Sequence, residues 1–145
     1  RHGSDQVVFL DAAERRWIEE LGGMNVFFVF DDGSLQTPPL TGTILAGITR
    51  DSLLTLARDM GVTVREEPYS IEQWEADAGT GRLREAFACG TAAVVTAIGS
   101  VESAQGKFTI GGQSSGPLTL RLRSALVGIQ RGSMPDPYGW IEQVA

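Results

Sequence analysis

Met24-Asn25-Val26-Phe27-Phe28-Val29-Phe30-Asp31-Asp32-Gly33-Ser34-Leu35-Gln36-Thr37 is the stretch on which the fold turns. Apart from Asn25 its first seven residues are apolar or aromatic, and a run of this kind reads as a strand. Asp31-Asp32-Gly33 then supplies the positive-φ position that a tight hairpin turn requires, so Ser34 to Thr37 is the natural return strand. Thr37-Pro38-Pro39 ends the pairing, because neither proline can donate to a ladder.

Upstream, Gln6-Val7-Val8-Phe9-Leu10-Asp11 is a short apolar run of buried-strand type, and Trp17-Ile18-Glu19-Glu20 reads as a second strand. Downstream, a loop through Gly42 and Gly47 leads to a helix. Thr49 is its expected N-cap, Asp51 complements its positive end, Leu53, Leu54, Ala57 and Met60 form its apolar stripe, and Gly61 stops it. Val62 to Glu66 alternates as a strand. Ser70 with Gln73 three residues later is a capping box that opens a helix through Trp74, fading at Gly79 and Gly81. Arg84 to Ala88 is a strand running into Cys89-Gly90-Thr91-Ala92-Ala93, and Val94 to Ile98 continues extended. A polar turn precedes a short strand from Lys107 to Ile110, and Gly111 to Gly116 is a flexible loop. Pro117 opens a last helix with Leu118, Leu122, Ala125, Leu126 and Ile129 on its buried stripe and Gly132 as its stop. Strands and helices are mixed along the chain without a fixed period, which predicts an α+β or irregular α/β domain and no repeat array.

The composition excludes several classes of function. The 145 residues are 42% hydrophobic, with a mean hydropathy of −0.02, as expected of one globular domain. A net charge of −6 and a pI near 4.7 disfavour nucleic acid and anionic membranes as partners. No apolar run approaches the roughly 18 residues that span a bilayer, and the start lacks a signal-peptide pattern, so the expectation is a cytoplasmic protein. The single cysteine, Cys89, has only His2 as a soft companion, so a metal site is not expected and the thiol reads as a small buried hydrophobe. Lys107 is the only lysine beside eleven arginines.

Three places are candidates for chemistry. Gly47-Ile48-Thr49-Arg50 delivers a hydroxyl and unpaired N–H groups to a helix start, the outline of a phosphate cradle, although an ordinary capped helix explains the same residues. Gly90-Thr91-Ala92-Ala93 lets a ligand approach the backbone, or simply packs closely. In Glu19-Glu20-Leu21-Gly22-Gly23 one carboxylate can point inward, where it would need a proton or a cation, or both can lie on a solvated edge. Asp31-Asp32 is assigned to the turn, and Glu66-Glu67 to a solvated face.

Asp5 to Ala12, Glu20-Leu21-Gly22-Gly23-Met24-Asn25-Val26-Phe27-Phe28, Thr37-Pro38-Pro39-Leu40, Ile44 to Arg50, Phe87-Ala88-Cys89-Gly90-Thr91-Ala92-Ala93 and Gly128-Ile129-Gln130-Arg131-Gly132 occur in this order. Together they resemble the carboxy-terminal part of the branched-chain amino acid aminotransferases, in wording nearest the actinobacterial type. The resemblance spans almost the whole chain. It implies the larger C-terminal domain of pyridoxal-phosphate fold type IV, an irregular barrel-like β structure wrapped by helices and shared with the D-amino acid aminotransferases. It further implies pyridoxal 5'-phosphate as cofactor, with branched-chain amino acids and 2-oxo acids as substrates.

Residue by residue, the resemblance places Glu20 against the cofactor's pyridine nitrogen, where a retained proton makes the ring an electron sink. Ile48 and Thr49 stand where the family binds the cofactor phosphate through N–H groups and a hydroxyl. Thr91 matches a further phosphate ligand, Thr91 and Ala92 lie near the substrate carboxylate, and Gly23 lies beside the cofactor. Ala46 departs from the family's usual proline, which leaves that loop without a fixed φ. The family's Schiff-base lysine falls before Arg1, as does an arginine of the smaller domain, and Lys107 matches no catalytic position. The chain is therefore expected to be the cofactor-binding piece of a homodimeric transaminase for leucine, isoleucine and valine, and to be inactive alone. The alternatives are a D-amino acid aminotransferase or aminodeoxychorismate lyase of the same fold, and a non-catalytic binding or assembly domain.

Overall fold

In a computed structural model, the described residues are 8–10, 13–21, 24–40, 48–90, 94–103, 106–110 and 116–130. A five-stranded mixed sheet stands at the centre, in the order β5-β4-β3-β6-β7. Its members are β3 (Asn25–Phe30), β4 (Leu35–Thr37), β5 (Val64–Glu66), β6 (Leu83–Gly90) and β7 (Val94–Ala97). The expected hairpin joins β3 to β4, with Gly33 at φ 85°. Asp32 fastens the turn by accepting hydrogen bonds from the Ser34 N–H at 2.9 Å and the Ser34 hydroxyl at 2.6 Å, which holds its carboxyl below the usual range. β4 runs parallel to β5 through the helical crossover α1 (Ile48–Asp59), and β3 pairs antiparallel with β6 from Asn25↔Cys89 to Phe30↔Leu83. The α+β class expected from the sequence is the class observed.

β3 is buried at all six residues because the sheet is covered on both faces. Phe27 and Val29, with Phe87 and Cys89 of β6, pack against Leu53, Leu54 and Ala57 of α1 and Leu118, Leu122 and Leu126 of α3 (Pro117–Gln130). Phe27 and Phe87 stack with ring centroids 5.0 Å apart and planes 3° from parallel. On the other face Val26, Phe28 and Phe30 meet Ile18, Tyr69 and Trp74, the last of these in α2 (Ile71–Thr80). Two antiparallel ribbons flank this second face: β1 (Val8–Leu10) with β2 (Ile18–Leu21), and β8 (Ser100–Ser103) with β9 (Gly106–Thr109). Trp74 meets Phe28 edge-on at 5.0 Å and Phe108 of β9 at 5.7 Å, which seats the second ribbon on α2.

Ser70 caps α2 as expected, its hydroxyl accepting from the Gln73 N–H at 3.0 Å, and Gly81 closes the helix at φ 82°. Three expectations are corrected. α1 begins at Ile48, so Thr49 lies inside its first turn and is not the N-cap. The strand expected over Val62 to Glu66 begins only at Val64. The turn expected before Lys107 contains a strand, β8, whose polar residues disguise it because it pairs only with β9. Gly132, the expected stop of α3, lies outside the described residues.

Candidate functional site

Two of the segments singled out in the sequence meet at one end of the sheet. β3 starts at Asn25 directly opposite Cys89 near the end of β6. Beside this pair, a Cβ at Gly90 would come within 3.3 Å of the Met24 side chain, so the glycine lets the two strand ends approach. Gly23 and Thr91 adjoin these two contacting residues in sequence. Gly23, Thr91 and Ala92 themselves lie outside the described residues.

Ile48 and Thr49 are the first two residues of α1, a helix of 12 residues. Their N–H groups belong to the first turn, which has no intrahelical acceptor. Among the described residues the Thr49 hydroxyl has no hydrogen-bond partner, and Asp51 is the acidic group of this turn. Glu20 sits on β2 opposite Phe9, within the ribbon whose second strand leads toward β3. Its side chain is outside the described residues.

Arg50 follows Thr49, and nothing in its sequence neighbourhood marks it out. It is 1% exposed, although it carries a charge. Nη2 donates to Glu66 Oε1 at 2.8 Å and to the Pro38 carbonyl at 3.1 Å, and Nη1 lies 3.8 Å from Asp51. Glu66 lies on the expected exposed face and is at the same time the partner of a buried cation, and the Arg50 hydrogen bond holds its carboxyl below the usual range. Glu67 keeps to the expected exposed face at 59%. Cys89 is fully buried, as expected, and burial pushes its thiol up to about 12 against the opposing influence of Arg50.

Glu85 is the second residue that the sequence concealed. Gly116 precedes α3 without a side chain to cap it, and Glu85 reaches across from β6 to take that role. Its carboxylate accepts from the Leu118 N–H at 3.1 Å, the Thr119 N–H at 2.8 Å and the Thr119 hydroxyl at 2.7 Å. These are the N–H groups that a capping side chain ordinarily satisfies. A Cβ at Gly116 would overlap the carboxylate, which explains the glycine.

The single lysine, Lys107, is exposed on β9 in the ribbon seated over α2, on the sheet face opposite α1. Among the described residues no group of three metal-ligating side chains converges, and no helix is long and apolar enough to cross a membrane.

The amino-transferase class IV family profile matches residues 1–101. The chain belongs to the class IV aminotransferases. Within that family it is 52% identical over 143 residues to a probable branched-chain-amino-acid aminotransferase of Streptomyces coelicolor, covering 99% of this chain and 39% of that protein. It is 51% identical over 145 residues to the branched-chain-amino-acid aminotransferase of Mycolicibacterium smegmatis, covering 98% of this chain and 39% of the relative. The actinobacterial wording is thus matched by actinobacterial relatives. The class IV chain spans about two fifths of the length of these curated relatives. Among solved structures, the branched-chain amino acid aminotransferase of Escherichia coli superposes with a TM-score of 0.83 at 37% identity, over 99% of this chain and 43% of that one. The branched-chain aminotransferase of the thermophilic archaeon Thermoproteus uzoniensis, solved with norvaline, superposes with a TM-score of 0.70 at 32% identity, over 90% of this chain and 38% of that one.

The class IV chain fits a phosphorylated cofactor at the start of α1. The Thr49 hydroxyl, without a hydrogen-bond partner among the described residues, and the first-turn N–H groups, which have no intrahelical acceptor, are donors of the kind that a phosphate takes.

Proposed function

We propose that this chain forms the larger, cofactor-binding domain of a pyridoxal-phosphate-dependent branched-chain amino acid transaminase. The enzyme moves the amino group between leucine, isoleucine or valine and 2-oxoglutarate. The observation that carries this reading is the 52% identity across 99% of the chain to an aminotransferase of that description. Two further branched-chain aminotransferase structures matched by the chain hold N-(5'-phosphopyridoxyl)-L-glutamate and pyridoxamine 5'-phosphate, which supports the cofactor assignment.

Bound pyridoxal 5'-phosphate supplies an electron sink for the electron pair left at the substrate's α-carbon. The residues of this chain bind and orient. The N–H groups of Ile48 and Thr49 and the Thr49 hydroxyl hold the phosphate, with Thr91 as a further ligand. Glu20 keeps the proton on the pyridine nitrogen by charge pairing. Thr91 and Ala92 present N–H groups to the substrate carboxylate, and Gly23 leaves room beside the ring. The amine that moves the α-proton comes from a lysine outside this chain, since Lys107 lies on the face opposite α1. The full-length protein is a cytoplasmic homodimer in this reading.

The test is an assay with leucine and 2-oxoglutarate in two proteins, the full-length product and the 145-residue chain. The full-length protein is expected to turn over, with Glu20→Gln and Thr49→Val slowing it, while the chain alone stays at the free-cofactor background. An inactive full-length protein, or turnover by the chain alone, overturns the reading.

A further inference from the structure

Arg50 contradicts two ordinary preferences at once. A guanidinium is buried to 1% exposure, and it occupies the third position of α1, at the positive end of the helix where a cation is disfavoured. An apolar side chain of similar volume would fill the space without the desolvation cost of a buried charge. Core filling alone therefore does not account for an arginine here. Its Nε has no hydrogen-bond partner among the described residues, so the group is not fully compensated even with Glu66 and Pro38 in place.

What the guanidinium achieves is convergence. The 3.1 Å bond from Arg50 to the Pro38 carbonyl joins the start of α1 to the residue that follows β4. Glu66 ties the same group to β5 at 2.8 Å. One side chain thus links the start of α1, the end of β4 and the end of β5.

We propose that Arg50 is a positioning residue for phosphate recognition, holding the first turn of α1 in register with the ends of β4 and β5 where a dianion binds. The proposal rests on the reading that Ile48, Thr49 and Thr91 take the cofactor phosphate.

The experiment uses the full-length protein and compares its dissociation constants for pyridoxal 5'-phosphate and for pyridoxal, which lacks the phosphate. The dissociation constant for pyridoxal divided by that for pyridoxal 5'-phosphate isolates what the phosphate contributes. Arg50→Met is expected to reduce this ratio about tenfold, with pyridoxal affinity nearly unchanged, a loss of the size that one buried charge-assisted contact commands. Arg50→Lys keeps the charge without the fork and is expected to fall between. Glu66→Gln, at a half-exposed partner, is expected to lower the ratio about two- to fivefold and provides a folded variant should Arg50→Met not fold. Equal weakening of both ligands would show a role in general stability only and overturn the proposal. An unchanged ratio in the Arg50 and Glu66 variants, beside a reduced one in Thr49→Val, would overturn it while leaving the phosphate site intact. An unchanged ratio in Thr49→Val would overturn the phosphate reading itself, and the proposal with it.

Discussion

Replacing Glu85 by glutamine keeps the shape of the side chain and removes the acceptor that closes α3. In the native arrangement one carboxylate accepts from the Leu118 N–H, the Thr119 N–H and the Thr119 hydroxyl, at 3.1, 2.8 and 2.7 Å. The glutamine amide presents an NH2 where one of these oxygens stood, so at least one donor loses its partner, at about 1 kcal/mol. The favourable placement of a carboxylate at the positive end of a helix is lost as well, worth about another 1 kcal/mol in a partly buried setting. The sum, about 2 kcal/mol, corresponds to about thirtyfold in an opening equilibrium. Because Glu85 holds only the first turn of α3, the cost should fall on local opening of that helix. Hydrogen exchange read by mass spectrometry on the full-length protein separates peptides from α3 and from the β3–β6 pair. The α3 amides are expected to exchange about thirtyfold faster in Glu85→Gln, with the strand pair unchanged. Thr119→Val, which removes only the hydroxyl bond, should accelerate the same amides less than about tenfold. Gly116→Ala should reproduce the Glu85→Gln pattern, since the added methyl displaces the carboxylate. Unchanged exchange in α3, or equal acceleration throughout the sheet, would refute the assignment of Glu85 as the cap.

Other consequences are testable in the same protein. Glu66 has its pKa lowered from 4.5, chiefly by the Arg50 hydrogen bond, so its contribution to stability is complete above the ordinary glutamate range and disappears as pH falls through the lowered value. Thermal melting between about pH 6 and pH 3 should therefore show a steeper acid loss in the native protein than in Glu66→Gln, and parallel curves would contradict the pairing. Cys89, with its thiol pushed up to about 12 inside the core, should resist iodoacetamide at about pH 8 until the protein unfolds. Rapid labelling of the folded protein would place that thiol elsewhere. Ser70→Ala should destabilise by about 1 kcal/mol, read as a lower denaturant midpoint for α2, because the Gln73 N–H loses its cap.

The strand-turn-strand from Met24 to Thr37, the apolar stripe of α1, the cap of α2 and the stripe of α3 were all legible along the chain, because each rests on periodicity or on residues within four positions of one another. The start of α1 lies two residues earlier than an N-cap at Thr49 implies, because Thr49 has the chemistry of a cap whereas the helix already includes Ile48. β8 was hidden because a polar strand paired only with β9 carries little apolar alternation. Glu20, Ile48, Thr49 and Thr91 stand out in the sequence as motifs, whereas nothing local signals the contacts that Arg50 and Glu85 make.

Residue order alone therefore determined the mixture of strands and helices and the family resemblance. Only the tertiary structure decided that Arg50 belongs to Glu66, 16 residues away, and that Glu85 caps a helix 33 residues downstream. A charged residue has no local pattern that announces its partner. Its position is set by what the folded chain brings within hydrogen-bonding reach once water is excluded, and that is a property of the packed sheet and helices.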